Sequence, residues 1–304
     1  MLTAGLIQPS LSRWSAPVCI VSKKYETPRF CVDCRKINFI TTKDAYPLPK
    51  RDYTFKALAG SRWFHIVDMQ TGYWQIKRDT RDQYKTSFAT HRGLFEFWVM
   101  PMVLSNSSAS FQRLIENVLG NLNWKKCLCY LDDIIIFGAY FDTTLENLRL
   151  IFERLKVANL KLKANKCFLF QTKIKYLGHV VSEEGVECDA DTIVDARDWQ
   201  EPKSKTELKS DLGFCGYFRK FIENCSEIAA SLNKLTQKKA KFVWNQNYQT
   251  AFYSLKEALI MAPVLKLPAT HDQFALDTDA SGLGVDAVLS QLQNGTEHLI
   301  VYSS

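Results

Sequence analysis

The sequence predicts an α+β fold with at least one helical subdomain. Two observations predict it. Apolar runs at residues 127–131 and 134–137 are Ile-rich and too short for helices, so they read as buried strands. Longer segments at 107–122, 142–160, 206–221 and 248–261 carry apolar residues at helical spacing and are intermixed with strand-like runs. The 304 residues are 46% hydrophobic, with 19 Phe, 12 Tyr and 7 Trp. That supplies cores for about two domains and excludes wholesale disorder and fibrous repeats.

In chain order, residues 17–22 and 29–32 read as strands around a polar turn. Residues 63–67 form a short apolar run that ends at Asp68. Segment 107–122 predicts an amphipathic helix with serine caps, its apolar face made of Phe111, Leu114, Ile115, Val118 and Leu122. The runs on either side of Asp132-Asp133 predict a hairpin. In 142–160, Leu145, Leu148, Phe152 and Leu155 recur at i, i+3, i+7 and i+10. Two more short apolar runs surround Gly178. Pro202 opens a different, helical region with a Lys-rich connector at 238–241. Strand pattern returns at Phe274-Ala275-Leu276, followed by a small-residue turn.

The net charge of +7 permits a polyanionic partner without demanding one. The excess is uneven: Arg154 to Lys175 holds seven basic residues and no acid, Lys23 to Arg51 eight against three, and Glu201 to Lys241 nine against five. Each stretch alone is equally an ordinary solvated face. The nine cysteines are odd in number and irregular in spacing, and the N-terminus lacks a secretory pattern. A reduced, intracellular, non-secreted chain is expected, with cysteines as small core residues. Cys31-Val32-Asp33-Cys34 has metal-ligand spacing, but Cys127 and Cys129 form a C-x-C pair, so core packing is expected over zinc. No apolar run is long enough for a membrane span.

Asp132-Asp133 carries the chemistry. A hairpin tip is an ordinary place for Asp, but Asp68 also ends an apolar run. If those strands are neighbours, three carboxylates meet at one sheet edge, and like charges so close need a cation. Mg²⁺ takes oxygen ligands shared between carboxylates and phosphates. Two such ions, about 3.5–4 Å apart, stabilise both oxygens of an in-line phosphoryl transfer.

From Gly5 to about Gln291, an ordered series of motifs carries a resemblance. It includes Cys31-Val32-Asp33-Cys34-Arg35-Lys36-Ile37-Asn38, Tyr46-Pro47-Leu48-Pro49, Asp68-Met69-Gln70-Thr71-Gly72-Tyr73, Met100-Pro101 and Phe111-Gln112-Arg113. It continues with Tyr130-Leu131-Asp132-Asp133-Ile134, Tyr176-Leu177-Gly178-His179 and Thr278-Asp279-Ala280-Ser281. The chain resembles the reverse transcriptase region of a gypsy-class LTR retrotransposon Pol polyprotein, with the start of its ribonuclease H domain.

The resemblance implies a right-hand polymerase: fingers and ferredoxin-like palm at 1–180 with the front of the fingers missing, thumb and connection at 181–262, and a truncated ribonuclease H-like start at 263–304. It implies an RNA-directed DNA polymerase that extends a primer on an RNA or DNA template with dNTPs and two Mg²⁺ ions, for which Mn²⁺ substitutes. Asp68, Asp132 and Asp133 would be the metal carboxylates, with the carbonyl of Met69 adding an oxygen. Arg29 and Lys23 (or Lys24) would contact the triphosphate, Arg29 being otherwise exposed hairpin charge. Tyr73 would be the aromatic gate against a 2′-hydroxyl, or else a core tyrosine. Gln112 and Arg113 would lie near nucleotide and template, or on plain surface. Tyr130, the hairpin Leu177-Gly178-His179, Lys163 and Lys166 would meet primer and template. Asp279 would be the first ribonuclease H carboxylate, with no complete site and no such activity expected from this chain.

The sequence departs from the family's Met-Pro-Phe-Gly-Leu-x-Asn-Ala-Pro turn at Met100 to Ser108. Val103 replaces the glycine, predicting a clash or a strained φ. Ser108 replaces the proline, Cys34 a Tyr, Trp74 a His and Asp286 a Gly. These departures define the alternative reading, a decayed remnant that only binds nucleic acid.

Overall fold

A computed structural model describes residues 1–22, 28–280 and 284–304, with backbone alone at 22, 28, 29 and 195. Lys23 and Lys24 lie outside the described residues, as does the side chain of Arg29. In chain order the elements are β1 (Ile7–Pro9), β2 (Val18–Ser22), β3 (Pro28–Val32), α1 (Arg35–Ile40), α2 (Arg51–Ala57), β4 (Trp63–Asp68), α3 (Thr80–Gln83), β5 (Phe88–Thr90), β6 (Gly93–Phe97), α4 (Ser107–Leu119), β7 (Cys127–Tyr130), β8 (Asp133–Gly138), α5 (Phe141–Val157) and β9 (Phe168–Gln171). Then follow β10 (Lys173–Tyr176), β11 (His179–Ser182), β12 (Gly185–Cys188), α6 (Ala190–Arg197), α7 (Lys205–Tyr217), α8 (Cys225–Leu235), α9 (Gln246–Ile260), β13 (Gln273–Ala280), β14 (Val285–Gln293) and β15 (Thr296–Ser303). Two compact units result. One comprises Met1–Lys50, His65–Phe137 and Phe141–Phe170; the other comprises Arg51–Phe64, Gly138–Tyr140 and Gln171–Ser304.

The first unit is built on a four-stranded sheet of order β7-β8-β4-β9. The chain order β4-α4-β7-β8-α5-β9 around that sheet is the ferredoxin-like βαββαβ arrangement. Val67, Cys127, Cys129, Ile134 and Ile136 from the strands pack with Phe111, Ile115 and Leu119 of α4 and Leu148, Ile151 and Leu155 of α5. A second cluster joins Val32, Cys34, Phe88 and Phe97. Cys34 and the pair Cys127 and Cys129 therefore sit in different cores, and burial pushes the Cys34 thiol up to about 11 and Cys127 up to about 12.

Two helix expectations are corrected. The N-cap position of α4 is Asn106, not a serine, and its side chain bonds Thr42 O and Asp44 N across the chain instead of capping. In α5 the buried residues are Thr144, Asn147, Leu148, Ile151 and Leu155, while Leu145 and Phe152 are exposed. The inward face is thus rotated from the purely apolar stripe. Asn147 turns inward because its amide donates to Phe137 O at the end of β8, satisfying a buried carbonyl.

In the second unit β10, β11 and β12 form a meander, and β13, β14 and β15 another. The β10–β11 turn has Leu177 at φ 48° and Gly178 at φ 74°, the two left-handed residues of a tight hairpin. A Cβ on Gly178 would stand 3.1 Å from Tyr217 Oη. Helices α6 and α8 were not among the expected elements. Both are short, and α6 has only weak amphipathic patterning. Among the described residues no helix is long and apolar enough to cross a membrane.

The rotated face of α5 makes a prediction for urea unfolding. Ile151→Ala should cost about 2–5 kcal/mol, whereas Leu145→Ala should stay within about 0.5 kcal/mol.

Candidate active site

Asp68 is the last residue of β4, and β4 lies beside β8, whose first residue is Asp133. Asp132 sits in the β7–β8 turn. The amide of Met69 donates to Asp132 O at 3.4 Å, tying the end of β4 to that turn. The expected convergence of Asp68 with Asp132 and Asp133 is therefore present. Asp68, Asp132 and Tyr73 line one cavity of about 440 Å³.

The turn is strained. Leu131 adopts φ 53°, a left-handed conformation that costs a branched residue roughly 1–2 kcal/mol. Gln112 compensates from below. Its Oε1 accepts from Leu131 N at 2.8 Å, and its Nε2 donates to Cys129 O at 3.0 Å. Gln112 is fully buried, so its expected contact with dNTP is corrected, and plain surface is excluded as well. It holds the backbone that carries the acids.

Gly72 was missed as a functional position, although it lies within a quoted motif. A Cβ there would stand 2.6 Å from Asp132 Oδ1 and 2.7 Å from Phe111 Cζ. No ordinary side chain fits without displacing the carboxylate. The loop is fastened by Gln75, whose amide bonds Gln70 O, Lys161 O and Lys161 N.

The electrostatics are those of acids held together. Burial, then the charges of Asp133 and Asp68, push Asp132 up to about 6. Burial and Asp68 likewise raise Asp133. Lys166 Nζ lies 3.0 Å from Asp68 Oδ2 and opposes both shifts. Lys163 donates its amide to Asp68 O at 2.9 Å, and its side chain lines the cavity. Lys166 thus stands at the Asp68 carboxylate, and Lys163 beside it on the same cavity, around the 3₁₀ turn Ala164–Lys166.

Among the described residues no three carboxylate, imidazole or thiolate groups are gathered tightly enough to hold a metal ion as they stand. Asp132 Oδ1 is nonetheless buried without a hydrogen-bond partner. An orphaned, buried carboxylate oxygen beside two further acids suits a hard divalent cation.

Tyr73 is half-buried, its ring 5.0 Å from Phe111 and its Oη 3.3 Å from Ser108 Oγ. Tyr130 is half-buried at the end of β7, paired with Asp133. Val103 does not take a left-handed φ. It packs against the cluster of Val32, Cys34, Phe88 and Phe97, and its carbonyl accepts from Asn38 Nδ2 at 2.9 Å. The strained φ predicted at Val103 is absent.

In the second unit, His179 is corrected as a primer contact. It is 1% exposed, enclosed by the rings of Phe55, Tyr217, Phe218 and Phe221. Burial lowers its pKa to about 4, and Nδ1 bonds Leu177 O at 2.9 Å. Its ring supports the turn, whose exposed tip is Gly178. Asp279 is exposed on β13, opposite Asp286 on β14.

An acidic end on a ferredoxin-like sheet, backed by a buried turn clamp and opening on a cavity lined by tyrosine, is an arrangement suited to a polymerase palm. The chain belongs to the reverse transcriptase family: residues 21–181 match the family described as reverse transcriptase (RNA-dependent DNA polymerase). Residues 244–304 match the RNase H-like domain found in reverse transcriptase. Its relatives are retrotransposon polyproteins. It is 37% identical over 297 residues to the retrovirus-related Pol polyprotein from transposon 297 of Drosophila melanogaster, covering 96% of this chain and 28% of that protein. It is 33% identical over 290 residues to the transposon Tf2-3 polyprotein of Schizosaccharomyces pombe, covering 95% of this chain and 22% of that one. The chain thus spans about a quarter of the length of these relatives. In fold it matches the foamy viral protease-reverse transcriptase in complex with double-stranded DNA, with TM-score 0.89 and 20% identity, over 99% of this chain and 53% of that one. The same viral protein in complex with RNA/DNA hybrid matches with TM-score 0.86 and 21% identity, over 99% and 41%. The fold is that of a reverse transcriptase palm with its flanking elements and an RNase H-like segment.

The raised Asp132 pKa sets a sign. A carboxyl whose folded pKa exceeds its unfolded value of 3.8 loses stability as pH rises from about 4 through about 6. Without divalent ions, Asp132→Asn should therefore melt above the wild type at pH 7.5, and the gap should close below pH ~4, read by calorimetry.

Proposed function

We propose that the chain is the polymerase part of a retrotransposon Pol protein and extends a primer by RNA-directed DNA synthesis. The observation that carries this reading is the meeting of Asp68 with the Asp132–Asp133 turn on neighbouring strands. Asp68, Asp132 and Asp133 would hold divalent cations, Mg²⁺ or Mn²⁺, which supply charge neutralisation at the α-phosphate of a dNTP and at the attacking primer 3′-hydroxyl. The protein's share is positioning. Gly72 leaves room for Asp132, and Gln112 fixes the turn. The Lys166 ammonium lies against Asp68 and offsets part of the acids' repulsion.

Tyr73 forms the wall beside Asp132, where a sugar at the reacting phosphate would rest. Its ring would crowd a 2′-hydroxyl there, which would favour dNTP. A duplex partner is supported by the fold, since the matching foamy viral enzyme is held with double-stranded DNA and with RNA/DNA hybrid. The hairpin tip at Leu177 and Gly178 is the part of that turn left open to a backbone.

Primer extension on an RNA template with Mg²⁺ tests the reading. The wild type should add dNTPs, and the Asp132→Asn, Asp133→Asn double variant should add none; equal signals from the two would refute it. Tyr73→Ala should retain extension while raising ribonucleotide incorporation at least about tenfold, measured by alkali-sensitive product.

A further inference from the structure

The Tyr46-Pro47-Leu48-Pro49 motif has no part in the chemistry so far. In the structure it joins the turn that carries the acids. Gln112 and Glu116 lie one helical turn apart on α4, and Gln112 Nε2 donates to Glu116 Oε1 at 2.7 Å. The other oxygen of Glu116 accepts from Tyr46 Oη. Tyr46 is fixed in turn: its amide donates to Asp44 Oδ1 at 3.0 Å, and the Arg113 guanidinium lies 4.6 Å from its ring centroid. Arg113 is itself held by both oxygens of Asp44, each at 2.8 Å.

The direction of the chain of bonds matters. Leu131 N–H needs an acceptor and Cys129 O needs a donor, so the Gln112 amide works in one orientation only. A carboxylate beside Nε2 selects that orientation, and the Tyr46 hydroxyl selects the position of the carboxylate. We propose that Tyr46, Glu116 and Gln112 form a relay that holds the left-handed Leu131 turn in register, making Tyr46 a remote positioning residue for Asp132 and Asp133. The inference rests on the polymerase reading for its consequence, but not for its geometry.

Two readouts test it. In the full chain, Tyr46→Phe keeps the ring over Arg113 and deletes only the hydroxyl. Primer extension should lose about three- to tenfold in kcat, with KM for dNTP unchanged. Gln112→Met should lose at least about a hundredfold. Adding Tyr46→Phe to Gln112→Met should then change kcat by less than about twofold, because the hydroxyl acts through the amide; a full multiplicative loss overturns the relay. Glu116→Gln, which keeps an acceptor and a donor in place, should retain more activity than Glu116→Ala. The second readout needs no activity. Amide exchange at Leu131 should be several-fold faster in Tyr46→Phe, with Ile115 unchanged as the reference. Exchange at Leu131 equal to wild type overturns the relay. A wild type that extends no primer while Leu131 exchange still responds would sink the polymerase reading and leave the relay standing.

Discussion

Burying carboxylates side by side is the constraint around which the first unit is arranged. Each acid taken from water costs free energy, and each neighbour adds repulsion. The raised pKa of Asp132 records both effects in one number, about 6. A fold that keeps such a group serves something other than stability. The surrounding residues reflect that cost. Lys166 supplies the nearest positive charge, Gly72 yields its side-chain volume, and Gln112 donates and accepts where a leucine has been forced into the left-handed region.

The two ends of the sheet show how the ferredoxin-like order suits this. β4 and β8 are central and apolar along their length, with Phe64, Ile66 and Val67 on one and Ile134 to Ile136 on the other buried. Both faces of these strands are buried, so a one-residue slip would drag an end carboxylate into the core. The acids at their ends inherit that register.

In the second unit the same logic appears at the β10–β11 turn. Leu177 and Gly178 take two left-handed conformations in succession, and Tyr217 Oη donates to Leu177 O at 2.8 Å. His179 is a case where a polar residue in a recognised motif is structural. Its ring is packed among aromatics, so it shapes the turn without reaching past it. Gln112 is the parallel case in the first unit. Both were singled out from the sequence, and both had their roles changed by burial. Motif membership identifies that a residue is needed, while only its surroundings decide whether it touches a ligand or a backbone.

Much was legible in the chain itself. Ile-rich runs of strand length around Asp132-Asp133 announced a buried hairpin with acids at its tip, because period and length are local properties. Long segments with apolar residues at helical spacing announced α4, α5, α7 and α9 for the same reason. The ordered motifs were enough to mark the family and to propose the acidic triad. Tertiary structure alone decided what depends on partners distant in sequence. It chose the inward face of α5, where Asn147 displaces Leu145 to satisfy a strand carbonyl. It brought Lys166 to the Asp68 carboxylate and Lys163 to the same cavity, and it joined Tyr46 to Gln112 through Glu116. Local patterning specifies which segments must hide apolar surface; hydrogen bonds and charges between segments far apart in the chain exist only once the chain has packed.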